Sequence, residues 1–207
     1  MKICCLSDLH GYLPNVPECD LLILAGDYCP SSKITKQFFW LKTEFADWLN
    51  KIPESTQVIG VAGNHDWIFE RNPDLVPKMN WTYLQDNGTE WSGLKIWGSP
   101  WQPRFWDWAF NADEDFMEKK WEMIPNDIDI LILHGPPQGY GDLTIHGEHT
   151  GSPSLTKKIE EIKPKLVVAG HIHHSYGQYH IGETICVNAS YVDESYIPKN
   201  KPIIIEL

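Results

Sequence analysis

The chain has 207 residues, 42% of them hydrophobic and 22% charged, an ordinary mix for a folded protein with a substantial core. Lys and Arg number 17 against 28 Asp and Glu, giving a formal net charge of -11, and the basic pairs Lys119-Lys120 and Lys157-Lys158 stand alone, which argues against long nucleic acid or an anionic membrane as partner. The five cysteines are odd in number and lack a C-x-x-C spacing, so neither a disulfide framework nor a zinc ribbon is expected.

Lys2–Ser7 (KICCLS) reads as a strand that opens the fold, and it runs into the turn Asp8-Leu9-His10-Gly11. With no leader ahead of it, and no apolar run near the ~20 residues of a membrane span, the expected location is the reduced cytosol. Leu21–Ala25 (LLILA) is a continuous apolar run of the kind buried on both faces, and it ends at Gly26-Asp27. Lys36–Ile52 reads as a helix, with Phe38, Leu41, Phe45, Trp48, Leu49 and Ile52 at spacings of three and four, stopped by Pro53. Gln57–Ala62 is the next strand and delivers Gly63-Asn64-His65-Asp66. Thr82–Leu84, Thr89–Trp91 and Leu94–Trp97 read as short strands with turns at Asn87-Gly88 and Ser92-Gly93. Asp113–Met123 is an expected helix, Ile128–Leu133 a strand ending at His134, Ser154–Ile162 a helix, and Lys165–Ala169 a strand ending at Gly170-His171. The tail, Gly177–Ile181, Thr184–Asn188 and Ile203–Leu207, is strand-rich. No repeat or linker interrupts the chain, so residues 1–207 are read as one domain.

Five short motifs therefore stand at strand ends: Asp8-Leu9-His10, Gly26-Asp27, Gly63-Asn64-His65-Asp66, His134-Gly135 and Gly170-His171-Ile172-His173. Any one of them alone is an ordinary polar pair or turn. Together they put oxygen and nitrogen ligands, and no thiolate, on one rim. Asp8 and His10 can reach one metal from a single turn, and Asp27 has two oxygens with which to bridge two. Asn64 offers an amide oxygen, while His134, His171 and His173 offer imidazoles. Such a set disfavours a structural zinc site and suits a catalytic pair of divalent cations, manganese first, with iron or zinc as alternatives. Two cations ~3.5–4 Å apart activate a water and grip both free phosphoryl oxygens. His65 is free to protonate a leaving oxygen, and Asp66 is the candidate to orient its ring.

The pattern D-x-H, G-D, G-N-H-[DE], H, G-H-x-H resembles the calcineurin-like metallophosphoesterases over nearly the whole chain. The resemblance implies an α/β fold, a four-layer αββα sandwich of two mixed sheets flanked by helices, with the metal site at strand ends. It implies that Asp8, His10, Asp27 and His173 bind a first metal, that Asp27, Asn64, His134 and His171 bind a second, and that His65 is the catalytic histidine. Gly98-Ser99-Pro100-Trp101-Gln102-Pro103, His134-Gly135-Pro136-Pro137, Asn188-Ala189-Ser190 and Lys201-Pro202-Ile203-Ile204 look like the subgroup that contains the vertebrate brain metallophosphoesterase-domain proteins and their bacterial relatives. That subgroup hydrolyses phosphodiesters, cyclic nucleotides among them. One mammalian branch of it carries glycine in place of the histidine matching His171 and is weakly active, whereas this chain keeps the histidine.

The protein Ser/Thr phosphatase branch follows Gly-Asp with an arginine that clamps phosphate. Here Gly26-Asp27 is followed by Tyr28-Cys29-Pro30, and the chain's two arginines are Arg71 and Arg104. A monoester dianion gains most from a bidentate arginine, so the expected substrate is a small phosphodiester or nucleotide. A phosphomonoesterase, a dinucleotide pyrophosphohydrolase, a nuclease and a metal-free scaffold remain the alternatives. Trp97, Trp101, Phe105, Trp106, Trp108 and Phe110 crowd one segment, which reads either as a packed loop or as a wall on which a base stacks. Within reach of that segment, Arg104 is a candidate substrate contact, and His149 is a second one from the loop after His134.

Overall fold

A computed structural model describes residues 1–207. In chain order the elements are β1 (Lys2–Leu6), β2 (Leu21–Ala25), α1 (Ile34–Trp40), α2 (Ala46–Leu49), β3 (Gln57–Val61), α3 (Trp67–Arg71), β4 (Thr82–Tyr83), β5 (Asn87–Trp91), β6 (Leu94–Ser99), β7 (Gln102–Pro103), β8 (Asn111–Ala112), α4 (Glu114–Glu122), β9 (Ile130–Leu133), α5 (Pro153–Ile162), β10 (Leu166–Ala169), β11 (Gly177–Ile181), β12 (Thr184–Asn188) and β13 (Ile203–Glu206). Five strands form one mixed sheet in the order β13-β1-β2-β3-β4, and six form a second in the order β11-β12-β10-β9-β6-β5. The strands within each sheet are parallel except at the edges β13, β5 and β11, which pair antiparallel with their neighbours. No helix is long and apolar enough to cross a membrane.

Strand alternation explains the layering. In β1, Ile3 and Cys5 face one way and join Ile23, Ile59, Ile96, Ile132 and Val168 in a core between the two sheets. Cys4 and Leu6 face the other way and meet Leu41, Phe45, Leu49 and Phe69 from the helical side. On the far sheet Leu131, Leu133 and Val167 turn outward against Met117, Trp121, Leu155 and Ile159 of α4 and α5. The result is helix, sheet, sheet, helix, the sandwich expected from the resemblance. All five cysteines are buried with free thiols, packed like small apolar residues.

Two local expectations are corrected. The helix read as Lys36–Ile52 is α1, a wider π-wound turn at Leu41–Phe45, and α2, because the backbone takes up an extra residue where Leu41 and Phe45 are both fully buried. The turn placed at Asn87-Gly88 lies one residue earlier, where Asp86 takes φ 52, and Asn87 and Gly88 belong to β5. Asn87 acts through its side chain, whose Oδ1 accepts the Gln85 N–H at 2.8 Å. Its chain then crosses from β4 in one sheet to β5 in the other rather than folding back as a hairpin. Ser92-Gly93 is a tight hairpin turn as read, with φ 49 and 76.

The segments that the sequence left as loops include α3, directly after Asp66, and the short β7/β8 pair beneath the Trp-rich loop. Most important for the site is where the two sheets meet. Ser7 N–H donates to the Ala189 carbonyl at 2.9 Å and the Tyr191 N–H to the Ser7 carbonyl at 2.8 Å, so the end of β1 pairs with the chain leaving β12 in the opposite sheet. That stitch carries Asp8 to the loop that holds His171 and His173.

Candidate active site

The five strand-end motifs converge at the carboxyl edge of both sheets. Of the seven candidate ligands, Asp8, His10, Asp27 and His171 have left-handed backbones, with φ of 54, 43, 57 and 68. That conformation is costly for a side-chain-bearing residue and persists where surrounding structure enforces it. The enforcement is visible: Asp8 N–H donates to the Gly26 carbonyl at 2.9 Å, and His10 N–H to the Asp27 carbonyl at 2.9 Å. Gly63 and Gly170 are required by close approach, since a Cβ on the first would overlap Asp27 Oδ1 and on the second Asp8 Oδ2.

Donor atoms gather in tight groups. Asp8, His10 and His173 form one, and Asp8, Asp27 and His134 another, with the ligand atoms in each within 4.8 Å of one another. His173 Nε2 is 3.2 Å from Asp8 Oδ1, while its Nδ1 faces the Asp193 carbonyl at 3.0 Å. His134 Nε2 is 2.7 Å from Asn64 Oδ1 and 3.5 Å from Asp27 Oδ2, while its Nδ1 faces the Ala25 carbonyl at 2.9 Å. In both rings a carbonyl fixes one nitrogen and leaves the other aimed at side-chain oxygens, the Asp8 carboxylate for His173 and the Asn64 amide and Asp27 carboxylate for His134, the arrangement by which imidazoles are oriented toward metals. His10 Nε2 is buried without a hydrogen-bond partner, 3.7 Å from Asp27 Oδ2 and 4.0 Å from Asp8 Oδ1. A buried nitrogen left unpartnered between two carboxylates is a position for a cation. The His171 ring sits 5.1 Å from that of His134, and its backbone N–H donates to Asp8 Oδ2 at 3.0 Å.

Electrostatics fit a cation site. Burial opposes charge on Asp27, but the facing His134, followed by His65, holds its carboxyl well below the usual carboxylate range. Asp8 is likewise depressed, against its burial, by the His173 hydrogen bond and charge. Burial lowers His10 to about 4 and, aided by His134, His171 to about 3, so both rings are neutral at neutral pH. His134, raised to about 9 by the Asp27 charge against its burial, and His173, raised by its Asp8 hydrogen bond against its burial, are the rings that carry positive charge beside the two ionised carboxylates, charge that a divalent cation on the same donors would replace.

The second expected role for the Gly63–Asp66 segment divides. The backbone N–H of His65 donates to Asp27 Oδ1 at 2.7 Å, and its ring stands edge-on to His10 with centroids 4.8 Å apart. Asp66 does not orient that ring. Its buried carboxylate instead accepts the N–H groups of Asp27 at 2.8 Å, Gly63 at 2.9 Å and Tyr28 and Cys29 at 3.0 Å, so it shapes the loop that carries Asp27. Burial and then the Asp27 charge push its pKa up to about 6, a rise that the N–H donors oppose.

A cavity of about 410 Å³ opens over this cluster, with Asp27, Asn64, His65, His171 and His173 in its floor and Phe105, Trp106 and Trp108 in its wall. Arg104 lines it, with Nε bonded to Asp113 Oδ1 at 2.9 Å. His149 does not line it: its Nδ1 is held by Asp142 Oδ1 at 2.7 Å, and the neighbour that faces the cavity is His146.

Four residues had no site role in the sequence reading, although Ser190 stands in the Asn188-Ala189-Ser190 segment. Ser190 Oγ donates to Asp8 Oδ2 at 2.8 Å. Asp193 supplies the carbonyl that orients His173. Tyr196, itself at φ 59, sets its ring edge-on to His10 at 4.7 Å and His173 at 5.4 Å. Gln37 is fully buried and donates to the His65 carbonyl at 2.7 Å while accepting the Ile68 N–H at 2.8 Å. A polar residue four before Leu41 on an apolar helix face was the available signal for Gln37. Removing a hydroxyl behind a metal ligand commonly weakens the metal by about 10–100-fold. Ser190→Ala is therefore expected to raise the divalent-cation concentration needed for half-maximal activity by that factor, and an unchanged requirement would show that Asp8 does not depend on Ser190.

The calcineurin-like phosphoesterase family model matches residues 1–175, a span that contains every candidate ligand from Asp8 to His173. The chain belongs to the calcineurin-like phosphoesterase family. Metallophosphoesterase domain-containing protein 1 of Homo sapiens is 33% identical over 239 residues, an alignment that covers 100% of this chain and 71% of that protein. A UPF0046 protein of Caenorhabditis elegans is 30% identical over 233 residues, covering 100% of this chain and 81% of its own length. Among solved structures, TT1561 of Thermus thermophilus superposes with a TM-score of 0.55 at 17% identity over 90% of this chain and 88% of that one, a likeness of fold alone. This phosphoesterase is thus a hydrolase of a family that uses a dinuclear metal centre, and its strand-end cluster supplies Asp and His groups able to bind metals.

Proposed function

We propose that this phosphoesterase hydrolyses small phosphodiesters, cyclic nucleotides among them, with Asp8, His10, Asp27 and His173 holding one divalent cation and Asp27, Asn64, His134 and His171 the other. Manganese is the metal we expect, with iron or zinc as alternatives on the same donors. Two such cations supply an activated water and neutralise charge on the phosphoryl oxygens. The residues of the chain do the remaining work. Asp27 Oδ2 lies between the ring nitrogens of His10 and His134, at 3.7 and 3.5 Å. His65, fixed at its N–H by Asp27 and at its carbonyl by Gln37, stands at the cavity floor to pass a proton to the leaving oxygen. A cytosolic setting suits five buried free thiols.

The charge of the cavity wall carries the preference for diesters. Its one guanidinium, Arg104, is engaged by Asp113, while Glu148 and Glu194 add carboxylates to the lining. A monoester dianion entering this wall meets repulsion without a bidentate clamp, whereas a diester carries a single charge. A pyrophosphate bridge, with its further charge, is disfavoured for the same reason. Matched aryl substrates test the reading: kcat/KM for the diester is expected to exceed that for the monoester, and a tenfold preference for the monoester would overturn it.

A further inference from the structure

We propose that Trp106, braced by Phe105 and Trp108, is a stacking platform for the planar aromatic group of the ester, a nucleobase or aryl ring, and that it sets which diesters the site prefers. The proposal deepens the diesterase reading and rests on it.

Exposure comes first. Trp106 is 72% exposed and Phe105 52% exposed, although rings of this size ordinarily bury most of their surface. The two rings lie nearly parallel, 18° apart with centroids at 4.9 Å, and Trp108 meets them edge-on at 5.2 and 5.5 Å. A ring that stacks on one face and stays this exposed has its other face open. The three rings brace one another, so that face is presented without needing to be ordered when a ligand arrives.

The backbone beneath is built rather than loose. Trp106 sits at φ 52, where a bulky side chain is strained. Asn111 Nδ2 holds the turn by donating to the Phe105 carbonyl at 2.9 Å and the Trp106 carbonyl at 3.1 Å. The same loop is tied to the metal cluster, since Ala109 N–H donates to the Asn64 carbonyl at 3.1 Å. Phe110 takes the same φ of 52 with its ring fully buried, so it is the exposure of the Trp106 ring on this held turn, rather than the strain, that marks a contact surface.

Position supplies the ligand chemistry. The Trp108 ring stands 4.8 Å from that of His65, so a continuous row of rings leads from the cavity floor to Trp106 at the rim. A phosphoryl group at the floor would place a ring joined to it through a sugar along this row. Glu148 and Glu194 in the lining make the cavity unwelcoming to a second anionic group and compatible with a neutral ring that carries amino donors. A base stacked on an aromatic side chain gains a stabilisation that corresponds to about 5–150-fold in affinity.

The experiment compares two ligands that share a phosphate and differ in the base, adenosine 5′-monophosphate and ribose 5-phosphate, titrated calorimetrically into the manganese-loaded protein. Adenosine alone, titrated into the metal-free protein, supplies a reading that does not depend on the metals or on the diesterase assignment. The wild-type chain should bind the nucleotide about 5–150-fold more tightly than the sugar phosphate. Trp106→Ala should bring that ratio close to one and abolish adenosine binding, while Trp106→Phe should retain part of both. A wild-type ratio of one, or a ratio untouched by Trp106→Ala, would overturn the platform, and the wild-type comparison stands even if a variant folds poorly. Failure of the diester preference alone leaves these ratios in place, so the two readings fail separately.

Discussion

Asp27→Asn is expected to strip both cations from the protein, whereas Asp8→Asn should empty mainly one site. The geometry of Asp27 makes the effect larger than the loss of one charge. Its Oδ1 accepts the His65 N–H at 2.7 Å, and its Oδ2 lies 3.7 Å from His10 Nε2 and 3.5 Å from His134 Nε2. In the asparagine variant the His65 N–H claims the one remaining oxygen. The amide NH₂ must then occupy the place of Oδ2, aimed at the position where the cations are proposed to lie. A shared acceptor thus becomes a donor, and both sites lose a ligand together. Asp8 is placed differently: Oδ2 is taken by Ser190 and the His171 N–H, and Oδ1 faces His173. Asp8 stands in both donor groups, but the contacts on Oδ2 keep the amide oxygen there and put the NH₂ in the place of Oδ1, beside His173 and His10, so the loss falls mainly on that site.

Metal analysis of the purified variants reads this directly. The rate with Asp27→Asn should fall by about a thousandfold or more, because cations at such centres supply several kcal/mol of transition-state stabilisation and each 1.36 kcal/mol is tenfold. Chelation of the wild-type protein should abolish activity, and manganese should restore it. Equal metal loss in the two variants would argue against the bridge, and a fully active chain carrying one metal or fewer would remove the two-cation mechanism.

The parts of the molecule that were legible in the sequence share a physical feature: each has a local signature. Leu21–Ala25 and Leu166–Ala169 are buried on both faces, so they read as unbroken apolar runs, and the candidate ligands at their ends could be placed by strand position alone. Cluster formation between distant motifs could be expected because strand ends on one edge of a sheet are neighbours. What escaped was tertiary. Asp66 looked like a partner for His65 because it is next in sequence, yet its carboxylate is consumed by four backbone N–H groups from the Asp27–Cys29 and Gly63 loops. Ser190 and Tyr196 follow the last metal motif and reach the site only through the β1 to β12 stitch and the turn around Asp193. His149 and His146 are three residues apart in one loop, and the Asp142 hydrogen bond decides which of them leaves the cavity. No periodicity in the sequence carries that choice.

His65→Ala is expected to separate substrates by their leaving groups. The ring lies at the cavity floor, edge-on to His10 and 4.8 Å from Trp108, while its backbone is clamped between Asp27 and Gln37. Truncation to alanine keeps both backbone clamps, so the loop that bears Asn64 should hold its shape. One of its ring nitrogens falls within 4.8 Å of ligand atoms on His10 and Asp27, close enough that a ligand role has to be tested as well as an acid role. A positioned general acid contributes roughly 10²–10⁴ in rate, and its contribution grows with the pKa of the leaving group, because a poor leaving group needs the proton and a good one does not. The variant should therefore lose about 10²–10⁴-fold on an alkyl or ribose diester and far less on a nitrophenyl ester, with metal content near that of the wild type. An equal loss on both esters would make the ring a stabiliser of charge rather than a proton donor. Loss of metal along with the side chain would make it a ligand, and the proton would then have to come from water, since the Asp66 carboxylate is already engaged by the backbone.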